Sequence, residues 1–298
     1  MTPCIVIGNP AAGRGKTKWG DLLESIRSAG LDATGRITSY PGHAIELARA
    51  ARRDGAETVI AAGGDGTVHE VVNGLLAERA GEMPALAVIP LGSGCDYAKT
   101  FGIPEEPAEA ARAIATAAVR NVDAGEITYR RDGTEHRRFF CNIAEVGIGG
   151  ATVARAAKLP RALGGAVYGL AFCMTLPTYR RADTTIAMDA LSYEGPLVDL
   201  VIAIGQVFGG GMKVAPNAQP ADGLFDVQVH FGSKLDYVRG LPKVYKGTHI
   251  PHPRIREERA ARVEVGSDPA GAIEADGEVL GTTPAAFTIL PGALRLKA

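Results

Sequence analysis

Ala61-Ala62-Gly63-Gly64-Asp65-Gly66-Thr67-Val68-His69-Glu70 is the stretch on which the fold turns. A strand-like apolar run, Thr58–Ala62, leads into it, and a helix-like pattern with apolar residues at 68, 71, 72, 75 and 76 follows. Glycines between a strand and a helix let the backbone approach an anion closely and adopt positive φ. Amides at the helix start point at that anion, and the helix dipole favours it. An aspartate there would repel a bare phosphate, so Asp65 is expected to face a metal ion or a hydroxyl. A ligand-free strand-to-helix turn, with Asp65 or Thr67 as N-cap, is the competing reading.

Working outward, strand and helix signals alternate over the first 120 or so residues. Strands are expected at Cys4–Gly8, Ala33–Thr38, Thr58–Ala62 and Ala85–Ile89. Helices are expected at Lys18–Ala29, Gly42–Arg53, Val68–Leu76 and Ala108–Ala118. Short apolar strands between helices imply a parallel sheet covered on both faces. A second glycine loop, Asn9-Pro10-Ala11-Ala12-Gly13-Arg14-Gly15-Lys16, also follows a strand. Gly15-Lys16-Thr17 matches the end of a phosphate-binding P-loop, but Pro10 stands where the first glycine is needed. A third loop reads Pro90-Leu91-Gly92-Ser93-Gly94-Cys95-Asp96. Three such loops after strands of one parallel sheet gather at its carboxyl edge, where open α/β folds bind ligands.

From about Val122 the rhythm becomes β-rich: Ile127–Arg131, Arg137–Ile143, Thr184–Met188, Leu197–Ile204, Phe225–His230, Arg262–Val265 and Ala286–Leu290. Glycine and proline turns between these runs imply an antiparallel β domain. A helical insert near 151–178 interrupts it, and the boundary near Asn121 divides the chain into 1–121 and 122–298. Glu274-Ala275-Asp276-Gly277-Glu278 places carboxylates beside a turn that is usually a solvent-exposed hairpin. A carboxylate within reach of a substrate hydroxyl can serve as general base.

Composition narrows the function. Of 298 residues 46% are apolar and 22% charged, which argues against disorder. Lysine plus arginine number 32 against 33 acids, so no global field draws the chain to nucleic acid. Cys4, Cys95, Cys141 and Cys173 are scattered, which suits reduced, buried thiols of a cytoplasmic protein. No signal peptide is expected at the N-terminus. Leu163–Leu176 is broken by Gly164, Gly165 and Gly169, and is too short to span a bilayer but able to dip into its interface.

Taken in order, these segments resemble the diacylglycerol kinase catalytic-domain family of bacterial lipid kinases, which includes sphingosine and ceramide kinases. The resemblance runs through Asn9-Pro10 to Gly13, Thr38 with Gly42-His43-Ala44, Gly63 to Gly74, and Pro90–Asp96. It continues through Val122-Asp123, Asn142 to Gly147, Gly209–Pro216, Asp222-Gly223 and Asp276-Gly277-Glu278. It implies a Rossmann-like α/β nucleotide domain followed by an antiparallel β-sandwich, with ATP in the cleft between them. Asn9, Pro10, Ala11, Ala12, Gly13, Thr38, Gly63, Gly64, Asp65, Gly66, Thr67, Val68, His69, Glu70 and Ser93 are the ATP contacts it implies. It makes Asp276 the base that takes the proton of the lipid hydroxyl, with Glu278 beside it. Asp65, Asp96 and Asp123 become the acids that organise catalytic Mg2+ and water. The carbonyls of Gln219 and Leu224 and the carboxylate of Asp222 become a structural Mg2+ site, oxygen-only as a hard cation prefers.

The implied activity is transfer of the γ-phosphate of ATP to a lipid hydroxyl, diacylglycerol to phosphatidic acid, within phospholipid biosynthesis. The implied setting is the cytoplasm, with peripheral contact at the inner face of the cell membrane, no transmembrane segment and a homodimer left open. Lys158 to Arg181, apolar with flanking arginines, reads as the acyl-chain wall or interfacial segment, or equally as an ordinary core helix. The basic stretch Arg254 to Arg262 reads as a solvated face. Three positions depart from the family: Cys95 and Ile204 replace asparagine, and Ser93 replaces threonine. They keep other acceptors in view: a sphingoid base, an undecaprenyl-type or polyketide-like hydroxyl, or NAD. NAD kinases share the glycine turn, but the Asp276-Gly277-Glu278 ending and the Gly209–Gly211 run speak against them. Cys95 also keeps open a nucleotide-binding regulatory protein without turnover.

Overall fold

Strand β1 (Thr2–Gly8) lies between β2 (Leu31–Ile37) and β3 (Thr58–Gly63), and β3 lies beside β4 (Ala85–Pro90). All three ladders are parallel, with Val6 opposite Gly35 on one side and Ile60 on the other. The computed structural model describes residues 2–10, 12, 18–78, 80–160, 166–189 and 191–298. Its contacts divide the chain into two units, Met1–Val122 with Gly292–Ala298, and Asp123–Pro291.

In the first unit β3 and β4 are buried at every position, as expected of a parallel sheet covered on both faces. Helices α1 (Trp19–Ser28), α2 (His43–Arg53), α3 (Asp65–Ala77), α4 (Asp96–Phe101) and α5 (Pro107–Thr116) complete this α/β unit. Helix α2 buries only alanines, Ala44, Ala48 and Ala51, and α3 meets it at Gly74. A Cβ on Gly74 would stand 2.7 Å from that of Ala48, so small residues on both helices permit the approach. Helix α3 begins at Asp65, three residues before the apolar periodicity starts at Val68, so the glycine turn and the helix overlap. Helix α4 was not expected; six residues are too few for a periodic signal.

The final strand, β15 (Glu278–Lys297), closes this sheet, with Arg295 opposite Ala85 and Leu296 opposite Leu86 in parallel. A division at 121 places this tail in the second half, whereas its contacts place Gly292–Ala298 in the first unit. Pairing across so long a stretch of chain leaves no local mark.

The second unit is antiparallel, the β-sandwich that the β-rich rhythm and the resemblance implied. One run of neighbours is β12 (Ile255–Ala260), β11 (Phe225–His230), β10 (Asp199–Ala203), β7 (Ile143–Gly147), β14 (Ala272–Ala275) and β15. Another joins β15 to β13 (Arg262–Asp268), β8 (Ala182–Met188) and β9 (Leu191–Leu197), while β5 (Val119–Arg131) pairs with β6 (Thr134–Phe140). Phe140 stacks on Phe225 at 5.6 Å and meets Phe287 edge-on at 6.4 Å in the main core. Strand β10 is buried on both faces: Leu200 and Ile202 point into that core, Val201 and Ala203 into a smaller cluster with Ile143, Val214 and Ala218.

The helical insert resolves into α6 (Ile148–Ala156) and α7 (Ala166–Thr178), and residues 161–165 lie outside the described set. Helix α8 (Lys234–Val244) escaped the periodicity, although Ser233 and Asp236 form a capping box readable in the sequence. The basic stretch before Arg262 is strand β12, where Arg256 pairs with Glu258; Arg262, opening β13, pairs with Glu264. Among the described residues no helix is long and apolar enough to cross a membrane.

Candidate active site

The parallel ladder of the first unit runs on into its loops. The Asn9 amide donates to the Ala62 carbonyl at 3.2 Å, Thr38 to Gly8 at 2.9 Å and Leu91 to Gly63 at 2.8 Å. The residues after β1, β2, β3 and β4 are thereby tied to one edge. Strand order reverses at β1, with β2 on one side and β3 and β4 on the other, so the loops after β1 and β3 flank a topological switch point.

Two of the glycine turns touch backbone to backbone. A Cβ on Gly92 would stand 2.6 Å from the Gly64 Cα, and one on Gly64 3.2 Å from the Gly92 Cα. Gly63 has no room for a side chain because Thr67 folds back over it. No side chain caps α3 at Gly64, and Asp65 is the acid of its first turn. Ala12 donates to the Asn9 carbonyl at 3.0 Å, and Ser93 is exposed. Ala11 and Gly13, both expected ATP contacts, lie outside the described residues, as do Gly15 and Lys16.

Asp65 and Asp96 converge. A Cβ on Gly94 would lie 3.0 Å from Asp65 Oδ2 and 3.7 Å from Asp96 Oδ2. Asp65 Oδ1 accepts the Tyr97 amide at 3.0 Å, so the acid that opens α3 also orients the start of α4. Cys95 precedes this helix in the left-handed region, φ 52°, with its thiol 3.4 Å from the Gly92 carbonyl. Burial first, and then the charge of Asp65, push that thiol up to about 11.

Other members of the expected set have local jobs. Glu70 accepts the Gly42 amide at 2.8 Å and the Ala44 amide at 3.1 Å, which caps α2. His69 and Val68 are buried, and the His69 ring lies 3.2 Å from the Asn73 amide nitrogen.

In the second unit, Asp276 and Gly277 form the two-residue turn between β14 and β15, with φ of 51° and 86°. Positive φ at both places is the pattern that selects Asp-Gly in a hairpin. The hairpin reading therefore holds, but the turn is not solvated at Asp276, which is 6% exposed. Its carboxylate accepts the amides of Cys141 and Asn142, each at 3.0 Å, and of Ile143 at 3.3 Å. Glu278 is exposed. Asp123 accepts the Gly223 amide at 2.8 Å and donates its own amide to Pro220.

Around the expected structural metal ligands, Arg259 pairs with Asp222 Oδ2, the Leu224 amide donates to Asp222 Oδ1 at 3.1 Å, and the Gln219 carbonyl accepts the Ala221 amide at 2.8 Å. A metal here would displace the Arg259 guanidinium from Asp222. Asp65 and Asp96 do fit: two carboxylates beside the glycine turns suit a hard ion that keeps water as further ligands. Among the described residues no three acids, histidines or cysteines gather as a metal-holding group.

Sequence reading passed over Glu145 and Asp199 and gave Glu274 no role. Each is an acid inside an apolar strand run, and each is buried. Burial pushes Glu145 up to about 7; burial and neighbouring negative charge raise Asp199 and Glu274 well above the usual carboxylate range.

The diacylglycerol kinase catalytic domain family matches residues 3–127, and the YegS C-terminal NAD kinase beta sandwich-like domain matches residues 142–298. "Diacylglycerol kinase" of Bacillus subtilis (strain 168) is 31% identical over 97% of this chain and 94% of its own length. "Probable lipid kinase YegS-like" of Chromohalobacter salexigens is 33% identical over 93% of this chain and 88% of its own. A crystal structure of a diacylglycerol kinase from Bacillus anthracis str. Sterne has the same fold, with a TM-score of 0.74 at 23% identity over 99% of this chain and 96% of that one.

Proposed function

Because the chain belongs to the diacylglycerol kinase catalytic domain family of lipid kinases, we propose that it phosphorylates diacylglycerol with ATP, giving phosphatidic acid. The observation that carries the nucleotide half is the glycine-built, side-chain-uncapped start of α3 pressed against Gly92 at the switch point. Amides and helix dipole there grip the phosphates without a side chain in the way. Asp65 and Asp96 are the residues that would hold Mg2+, which would supply positive charge to offset that of the transferring phosphoryl group.

In the transfer, the acceptor oxygen bonds to the γ-phosphorus while the bond to the β–γ bridging oxygen breaks, leaving ADP. The hydroxyl proton passes to Asp276 and then to solvent. The amides of Cys141, Asn142 and Ile143 hold that carboxylate in one orientation, which supports an alignment role. Ser93 and the loop starting at Asn9 complete the nucleotide contacts.

Lipid access rests on α7. Ala171 and Thr175 are buried, while Leu170 and Met174 on the other face are 44% and 42% exposed. Arg180 and Arg181 follow, a composition suited to an interface with anionic lipid at the inner face of the cell membrane.

The test is a thin-layer assay with labelled ATP and a panel of diacylglycerol, a sphingoid base, undecaprenol and NAD. Label in phosphatidic acid supports the reading. Label only in another product moves the activity to that acceptor. No product from any of them, while ATP still raises Tm, leaves a nucleotide-binding protein without turnover.

A further inference from the structure

The second unit carries three acids for which the transfer chemistry has no use. Glu274 stands directly opposite Glu145 in the β14–β7 ladder, and Asp199 stands opposite Gly147 in the β7–β10 ladder. Side chains alternate along a strand, so all three acids emerge on one face, away from the main core. Helix α6 presses on that face through Gly149, which leaves no room for a Cβ beside the Glu145 carboxylate, and through Gly150 against the Ala272 backbone. Glu274 and Asp199 are fully buried and Glu145 is 7% exposed.

Their contacts are uneven. Asp199 accepts the Gly149 amide at 3.2 Å and the Tyr237 hydroxyl at 3.0 Å. Glu274 Oε2 accepts the Gly277 amide at 2.8 Å, whereas its Oε1 is buried with no hydrogen-bond partner. None of the three forms an ion pair among the described residues. Among the described residues, the other titratable groups facing them offer no positive charge: Tyr237 on α8, Tyr179 after α7, Asp276 in the turn, and His230 on β11. Burial holds His230 neutral, down at about 3. Three charged carboxylates cannot share a dry face without a cation, so the group must keep protons.

We propose that Glu274 is a positioning residue: backed by Glu145 and Asp199, it holds the Gly277 amide and so sets the turn that carries Asp276. This rests on the phosphoryl-transfer reading for its consequence, not for its existence. Asp276 is tied to β7 at its amide as well, through the Ile143 carbonyl at 2.8 Å. The turn is therefore sensitive to any separation of β14 from β7. When the cluster loses its protons, Glu274 and Glu145 repel across that ladder and the turn shifts. The sign follows from carboxyls raised in the folded state: their stabilisation is full at acidic pH and is lost as pH rises, through about 7 for Glu145.

The experiment follows the Gly277 amide by NMR, Tm and kcat from about pH 6 to about pH 8. In the wild type the Gly277 resonance titrates, and Tm and kcat fall together toward alkaline pH. Glu145→Gln removes one acid and makes the pH response of all three shallower. Glu274→Ala lowers kcat about tenfold with nucleotide KM unchanged, and Glu274→Gln, which keeps an oxygen for the Gly277 amide, restores it. A Gly277 resonance and a Tm that respond to pH identically in the wild type and Glu145→Gln overturn the proposal, as does wild-type kcat in Glu274→Ala. The first two readouts need no acceptor. If they behave as expected while no lipid is phosphorylated, the lipid-kinase reading fails and the proton-holding turn stands. If they fail while phosphatidic acid forms, only the turn's role is lost.

Discussion

Gly92 and Gly64 meet backbone to backbone: a Cβ on Gly92 would stand 2.6 Å from the Gly64 Cα. Neither residue has a φ in the left-handed region, so close approach, not backbone freedom, is what calls for glycine at both. Gly92→Ala must push the two turns apart. We expect ATP affinity to fall about tenfold or more, about 1.4 kcal/mol or more, in isothermal titration calorimetry. Gly64→Val, with a branched side chain at the start of α3, should abolish binding. Unchanged affinity in both variants would remove this contact from the nucleotide site.

Asp276→Asn should lower kcat by about 10² to 10⁴-fold while leaving ATP binding intact. The amide side chain turns a donor toward one of three backbone N–H groups, so stability should fall as well, by about 1–3 kcal/mol. Calorimetric ATP titration of the folded variant separates the two effects. Turnover at the wild-type rate would remove Asp276 from the chemistry.

Cys95 sits at φ 52° and ψ 42°, a region that asparagine tolerates and most side chains resist at a cost of about 1–2 kcal/mol. Cys95→Asn should therefore raise Tm. A lower Tm would show that packing of the thiol against Gly92 outweighs the backbone preference.

Thiol chemistry offers an independent check on burial. Cys173 is exposed, whereas Cys4 and Cys95 are each pushed up to about 11, burial being the larger cause in both. Near neutral pH the thiol, not the reactive thiolate, is the prevailing form of both. A maleimide should label Cys173 alone in the native protein and reach Cys4, Cys95 and Cys141 only on unfolding. Peptide mass spectrometry reads the site.

Glu70→Ala removes both acceptors from the start of α2 and should cost about 0.5–2 kcal/mol, read from denaturant unfolding. If Glu70 works as a cap, the nucleotide KM stays at its wild-type value. A large rise in KM with unchanged stability would return Glu70 to the nucleotide contacts.

What was legible in the chain was whatever short-range chemistry encodes. Alternating strand and helix periodicity, the glycines of three loops, and Asp-Gly at a two-residue turn each express a local backbone or packing demand. The parallel first unit and the antiparallel second one follow from those signals. Short elements such as α4 and β14 were missed because six or four residues hold no periodicity.

The rest was decided by pairing between distant segments. The turn at Asp276 reads as an exposed hairpin until β14 lies beside β7, whose neighbouring amides then draw the carboxylate inward. Glu274 is an unremarked acid until the same register sets it against Glu145. Arg295 and Leu296 close the first sheet only because the last strand returns to β4. Local φ preferences and periodicity belong to each residue and its near neighbours, so sequence alone determined the elements and the glycine turns. Burial and the proton balance of the acids depend on which strands come together, so only the tertiary structure decided them.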